Sequence, residues 1–509
     1  MTGAITTPHP MATEAGAAVL RAGGTAPEAL IAAGAVLTVV MPHFCGLGGD
    51  AVWLLADRQG RQKTLLAIGQ GLENAAPIGP IPLRGPQSVL TTAGVVAGWH
   101  HALCLSHREM GGRARWGDLL APSINFAEDG FTVTSSQEFW SRFREAESVD
   151  WPGFASVFLG PGGHPAAGHI LRQPDLARSL RDLAERGAED FYLGALSRRI
   201  VDGLQAQGVP MSSDDLARTT CRERRPIALG YRGLTLLAPP PPTQGVTTLQ
   251  IMGQLAQFDL AAMEPGSAGH IHLCVEAVKR AFLQRGLISD PAFRAFDNIG
   301  SLEPSHLAGM AADIMPQKAM AWPHVWQHGD TVFLGAMDEM GNAVSVLQSI
   351  YFDWGSGVVA GDTGILWQNR GAAFHYDADH INSFAPGKLP FYTLNPGIAL
   401  RDGKPYLAYG TQGADGQPQT LAMLLTRLID YGQSPDVALA APRFLLGRTF
   451  SDSRDSLKLE EDIGSEVGDE LLARGHETCL VPAQSPISGQ AGVVRFSEYG
   501  FEAWHDPRR

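Results

Sequence analysis

The sequence predicts a layered α/β protein with at least some antiparallel sheet, on three observations. Two apolar helical runs fill residues 11–40, two strand-like runs flank a short glycine turn between Thr331 and Ile350, and strand and helix signals are mixed over the rest.

Met11 to Ala22 reads as a helix stopped by Gly23-Gly24, because only glycine freely takes the left-handed stop. Thr25-Ala26-Pro27-Glu28 matches a capping box, in which hydroxyl and carboxylate satisfy each other's backbone N–H, and opens a second helix to about Val40. That helix is apolar nearly all round, so burial on every side is expected. Phe44-Cys45-Gly46-Leu47-Gly48-Gly49-Asp50 reads as a glycine loop feeding a core strand, Ala51 to Ala56. From about Val95 to Leu287, helical segments alternate with proline and glycine breaks. The strongest break, Pro239-Pro240-Pro241-Pro242, precedes a helix from Val246 to Gln257; apolar sequence on both sides favours a rigid entry into that helix over a domain boundary. Thr331 to Asp338 and Ala343 to Ile350, joined through Gly341-Asn342, read as a β-hairpin, and strand signals continue to about Gly410 before a helix from Gln417 to Tyr431.

Hydrophobic residues at 44% and charged residues at 18% exclude a disordered chain. The net charge of -13, with no run of Lys and Arg, excludes a nucleic-acid partner. Ala29 to Met41 is too short to span a bilayer and no export signal opens the chain, so a cytoplasmic protein without a membrane partner is expected. Cys45, Cys104, Cys221, Cys274 and Cys479 are scattered and odd in number, which points to buried free thiols and to neither disulfides nor a metal site.

Several segments, in order, resemble the γ-glutamyltransferase family. They are His9-Pro10, Gly23-Gly24, Pro42-His43, Gly46-Leu47-Gly48-Gly49, Asp118 to Pro122 with Ala127 to Phe131, Pro239 to Gly245, Thr331, Asp338, Gly341 to Ser345, Gly355 to Gly361 and Thr363 to Leu366. The resemblance covers nearly the whole chain. It implies an α/β (α+β) fold, the αββα four-layer sandwich of N-terminal-nucleophile hydrolases. It further implies a precursor that cuts itself between Asp330 and Thr331 into a large subunit, 1–330, and a small subunit, 331–509, which stay associated and allow a dimer of processed pairs.

In such a protein Thr331 is the nucleophile and its new α-amine, with a reference pKa of about 7.7–8.0, is the base; before the cut that nitrogen is a non-basic amide. The resemblance places a second hydroxyl at Ser349, where the family has threonine, and the oxyanion donors at Gly413 and Ala414, where the family has two glycines. This chemistry needs no metal or organic cofactor.

The residues that read a γ-glutamyl group in the family are replaced here. Gly71 to Pro77 holds no arginine, Tyr351 stands for an asparagine, Arg370 and Ala373 for a polar residue and an aspartate, and Tyr392 and Thr393 for serines. An α-ammonium would be buried without its acid. The segments Gln348 to Tyr351, Trp367 to Gly371, Thr393 to Pro396 and Asp415 to Thr420 resemble a divergent subgroup acting on small acid amides such as oxamate. A small-molecule amide substrate is therefore expected, with Arg370 holding its carboxylate by a planar fork of donors, or else pairing with Asp377 or Asp379. The alternatives are γ-glutamyl transfer or hydrolysis on glutathione, a glutaryl acylase of the cephalosporin kind, and an uncleaved, silent binding protein.

Overall fold

Two six-stranded antiparallel sheets, each built from both ends of the chain, organise the computed structural model, which describes residues 3–160, 162–322, 331–448 and 453–508. Asp330, expected just ahead of the cut, lies outside the described residues. In chain order the strands are β1 (Gly3–Thr6), β2 (Asp50–Ala56), β3 (Gln62–Ala67), β4 (Arg222–Arg224), β5 (Ile227–Tyr231), β6 (Leu234–Ala238), β7 (Val332–Asp338), β8 (Ala343–Ser349), β9 (Gly397–Arg401), β10 (Lys404–Thr411), β11 (Ala491–Ser497) and β12 (Gly500–His505). The first sheet runs β1-β7-β8-β2-β3-β4 and the second β12-β11-β10-β9-β6-β5. Leu54, Met337 and Ala343 of the first meet Leu237, Ile398, Ala408 and Val494 of the second in the core between them.

Helices α1 (Pro10–Arg21), α2 (Ala26–Val40), α3 (Val95–Leu105) and α4 (Trp116–Asp129) cover the outer face of the first sheet. Helices α5 (Gly245–Leu255), α6 (Ala268–Arg285) and α7 (Gln417–Ile429) cover that of the second. The result is the expected αββα sandwich. It explains why β2 is apolar on both faces: Trp53 and Leu55 pack under the helices, while Val52 and Leu54 face the opposite sheet.

Local signals act as read. Thr25 N donates to Glu28 Oε2 at 2.8 Å and Glu28 N to Thr25 Oγ1 at 3.4 Å, closing the capping box of the wholly buried α2. The prolines after β6 are buried and lead into α5 without a domain boundary. Asp338 and Asn342, part of the family-like pattern, form scaffold: the Asp338 carboxylate accepts from Asn342 N (3.0 Å), Asn342 Nδ2 (2.8 Å) and Ala26 N at the start of α2 (2.7 Å).

Two expectations need correction. All the cysteines are free, but only Cys45 and Cys274 are buried; Cys104 is exposed, since it falls on the outward side of α3. The sequence suggested no metal-ligand cluster, yet the fold brings His272, Glu276 and His476 together. Among the described residues, no helix is long and apolar enough to cross a membrane.

Candidate active site

The hairpin sets out the first part of the site. Val332 pairs with Gln348 across β7 and β8, so the same register carried one residue on sets Thr331 opposite Ser349; Ser349 in turn pairs with Asp50 of β2. Opposed residues share a face, with Cα atoms about 4.5–5.5 Å apart. Phe333 and Val52, two residues along from Thr331 and Asp50, pack between the sheets, so this buried row also looks across at the second sheet.

From the second sheet comes the turn after β10. Gly413 holds φ 117, which glycine supplies without strain, and Ala414 holds φ 46. Neither N–H donates to another described group, as befits the opening of a helical turn; Gly416 N donates back to Gly413 O at 2.7 Å. The proline segment reaches the same place. Pro242 O accepts from Tyr392 N (2.9 Å), Tyr392 O accepts from Gln244 N (2.9 Å), and Gln244 Nε2 donates to Thr393 O (2.7 Å) and Ala414 O (2.8 Å). One buried amide thus ties the Tyr392-Thr393 segment to the turn.

A left-handed alanine costs about 1–2 kcal/mol, whereas glycine gives back about 0.5–1 kcal/mol through its freer unfolded chain. Ala414→Gly is therefore expected to keep or slightly raise stability in denaturant titration. A loss above about 1 kcal/mol would mean that packing holds the methyl in place.

Arg370, on the short turn Arg370–Ala373, is buried with its guanidinium carbon 3.8 Å from the Tyr351 ring centre and 4.1 Å from that of Tyr392. None of its Nε, Nη1 or Nη2 atoms has a hydrogen-bond partner among the described residues, so it pairs with neither Asp377 nor Asp379. Burial lowers its pKa to about 10, against the opposing pull of Tyr351 and Asp50, so it stays charged at neutral pH. Both tyrosines are fixed from the Thr331 row. Tyr351, held at φ 82, donates its N–H to Ser349 Oγ at 2.7 Å, leaving the serine O–H to donate; the Tyr392 hydroxyl donates to Asp50 Oδ2.

Asp50 was not singled out from sequence, where it looks like the tail of a glycine loop. Its Oδ1 accepts from Gly69 N (2.9 Å) and Gly94 N (2.7 Å). Both must be glycine: a Cβ would come within 1.9 Å of Thr92 O at Gly69 and 2.4 Å of Ala67 O at Gly94. A lone acid heading the apolar run Ala51–Ala56 was the available signal. Gln244, hidden beside the prolines, offered none. Thr331, Ser349, Gly413, Ala414, Tyr351, Arg370, Tyr392 and Thr393 thus converge from both sheets, and the fold adds Asp50 and Gln244 to them. Ala373 stands on the Arg370 turn and brings no acid.

Known proteins resemble this chain along nearly its whole length. A family model for gamma-glutamyltranspeptidase matches residues 12–509. The oxamate amidohydrolase proenzyme of Klebsiella pneumoniae is 42% identical over 99% of this chain and 97% of its own. The glutathione hydrolase-like YwrD proenzyme of Bacillus subtilis is 36% identical over 99% and 96%. The crystal structure of a cephalosporin acylase from Bacillus halodurans superposes with a TM-score of 0.89 at 26% identity, covering 100% of this chain and 94% of its own.

Proposed function

The chain belongs to the gamma-glutamyltranspeptidase family, and from that premise we propose that it is a self-processing amidohydrolase that releases ammonia from a small amide bearing a carboxylate, such as oxamate. The observation that carries this is Arg370: a buried, charged guanidinium without a hydrogen-bond partner among the described residues, clamped between two tyrosines, one of which is hydrogen-bonded to Ser349. A planar carboxylate fits that fork of donors, and in oxamate the amide carbon is the very next atom. A γ-glutamyl group would also need an acid for its ammonium. Asp50 is the acid at hand, but Gly69, Gly94 and Tyr392 already occupy its two oxygens.

Cleavage before Thr331 frees an α-amine, which takes the proton of Thr331 Oγ1 as that oxygen attacks the amide carbon. The Gly413 and Ala414 N–H groups receive the oxyanion, and the O–H of Ser349 supports the threonine oxygen. Collapse breaks the C–N bond, the protonated amine gives its proton to departing ammonia, and water hydrolyses the threonine ester. The fragments stay paired because β1, β2, β3 and β4 of one share a sheet with β7 and β8 of the other. The test is ammonia release from oxamate set against release of aniline from a γ-glutamyl anilide. Anilide turnover with no ammonia from any small acid amide would remove the substrate assignment.

Burial pushes the Asp50 carboxyl up to about 7, although Gln368, Gly94, Gly69 and the charge of Arg370 all favour its ionised form. Below that pH it is neutral and leaves the field of Arg370 to the ligand; above it, the carboxylate repels an anion. The inhibition constant of oxalate is therefore expected to rise several-fold from pH 6 to pH 8 and to flatten in Asp50→Asn, while kcat rises over the same range as the α-amine deprotonates. An oxalate constant independent of pH in the wild type would contradict this role of Asp50.

A further inference from the structure

A buried polar cluster on α6 holds the chain ahead of Thr331. His272, Glu276, Lys279 and Arg280 form one stripe of α6, and residues 313–322 run across it. His272 Nε2 lies 2.8 Å from Met315 O, Met320 N donates to Glu276 Oε1 (3.2 Å) and Oε2 (3.1 Å), Lys279 Nζ donates to Met320 O (2.5 Å), and Arg280 donates to Asp313 O. The far end is tied to residues beyond Thr331: Ala319 N donates to Arg474 O at 2.7 Å and Trp322 Nε1 to Asp455 Oδ1 at 2.8 Å. His476 closes the cluster, with Nε2 at 2.8 Å from His272 Nδ1 and Nδ1 at 3.4 Å from Lys279 Nζ.

A single proton arrangement satisfies all of these contacts. Lys279 donates to His476 Nδ1, His476 Nε2–H to His272 Nδ1, and His272 Nε2–H to the Met315 carbonyl, with both imidazoles neutral. The ligand atoms of His272, Glu276 and His476 lie within 4.8 Å of one another, a grouping that also suits a metal. Two cations already on Glu276, Lys279 at 2.9 Å and Arg280 at 2.8 Å, argue against a third. What the cluster does grip is main chain. Residues 323–330 separate Trp322 from Thr331, a reach of at most about 30 Å even fully extended.

We propose that His272, Glu276, Lys279 and His476 are positioning residues for self-cleavage, an anchor that fixes the segment upstream of Thr331 so that the bond to be cut is presented to the threonine hydroxyl. This rests on the cut falling before Thr331. Fixing one arm of the reacting peptide removes much of the search that precedes attack, so loss of the anchor slows cleavage without altering the finished site.

The experiment follows freshly translated full-length chain into its two fragments on denaturing gels. Glu276→Ala and His272→Leu are expected to cleave about tenfold more slowly. His272→Gln, which keeps a donor for Met315 and an acceptor for His476, is expected to cleave at close to the wild-type rate, and the cleaved fraction of each variant to show the wild-type KM. In the Thr331→Ala chain, hydrogen exchange at Ala319 and Met320 is expected to be slow, and fast once Glu276→Ala is added. Wild-type cleavage rates in both Glu276→Ala and His272→Leu would overturn the anchor, as would a His272→Gln chain as slow as His272→Leu, or a KM raised in step with the cleavage defect. If Glu276→Ala does not fold, the His272 pair decides. A Thr331→Ala chain that is still cut refutes the cleavage site itself; one that stays whole while Glu276→Ala and His272→Leu both cut normally refutes the anchor alone.

Discussion

Thr331→Ala is expected to remain one chain of 509 residues and to release no measurable ammonia, a loss on the order of 10⁴-fold or more. In the proposed mechanism the hydroxyl serves twice, first against the peptide carbonyl before it and then against the substrate amide, and alanine removes it from both. Removing the amine alone would be nearly as damaging, since a threonine hydroxyl attacks poorly without a base. Denaturing gels, N-terminal sequencing of the smaller fragment and an ammonia assay read the outcome. Thr331→Ser, which keeps the oxygen, is expected to cleave and work slowly. A wild-type chain that stays whole yet hydrolyses amides would overturn the mechanism, and one that stays whole and inert would favour a silent binding protein.

The second large effect is at Arg370. Arg370→Ala strands a substrate carboxylate in a buried site, which costs about 3–5 kcal/mol in kcat/KM on acid amides; amides without a carboxylate change little. Arg370→Lys keeps the charge and loses the fork, so an intermediate loss is expected. Stability separates the two roles of this residue. A guanidinium buried with no hydrogen-bond partner among the described residues stabilises the empty protein through its stacking on Tyr351 and Tyr392 and the attraction of Asp50, and this is offset by desolvation. Arg370→Met is therefore expected to leave the melting temperature unchanged or higher while acid-amide turnover collapses. If Arg370→Met lowers stability and turnover on both substrate classes together, the arginine is structural.

Much of this was legible from local chemistry. The Thr25 capping box, the double-sided apolar run of β2 and the limits of the Thr331 hairpin are local patterns, and each stands within a residue or two of its expected place. The inward-facing substitutions Tyr351, Arg370 and Tyr392 were legible because an ordered resemblance supplied a frame against which they stood out. What stayed hidden depends on distant partners. Asp50 gains its character from Gly94, 44 residues away, and Tyr392, 342 residues away. His272 meets His476 across 204 residues, a pairing no spacing rule reaches. Cys104 was misplaced because composition says a thiol tends to be buried, whereas the turn of its helix decides which way it points.

Because each sheet interleaves strands from before and after Thr331, the proposed cut would change the order of the folding reaction. The precursor folds as one molecule, at a rate independent of concentration. Once the bond is broken, unfolding releases two chains, and recovery becomes a second-order encounter between pieces that each lack strands of both sheets. The processed protein therefore persists through the height of its unfolding barrier, and the native state is inherited from a covalent connection that no longer exists.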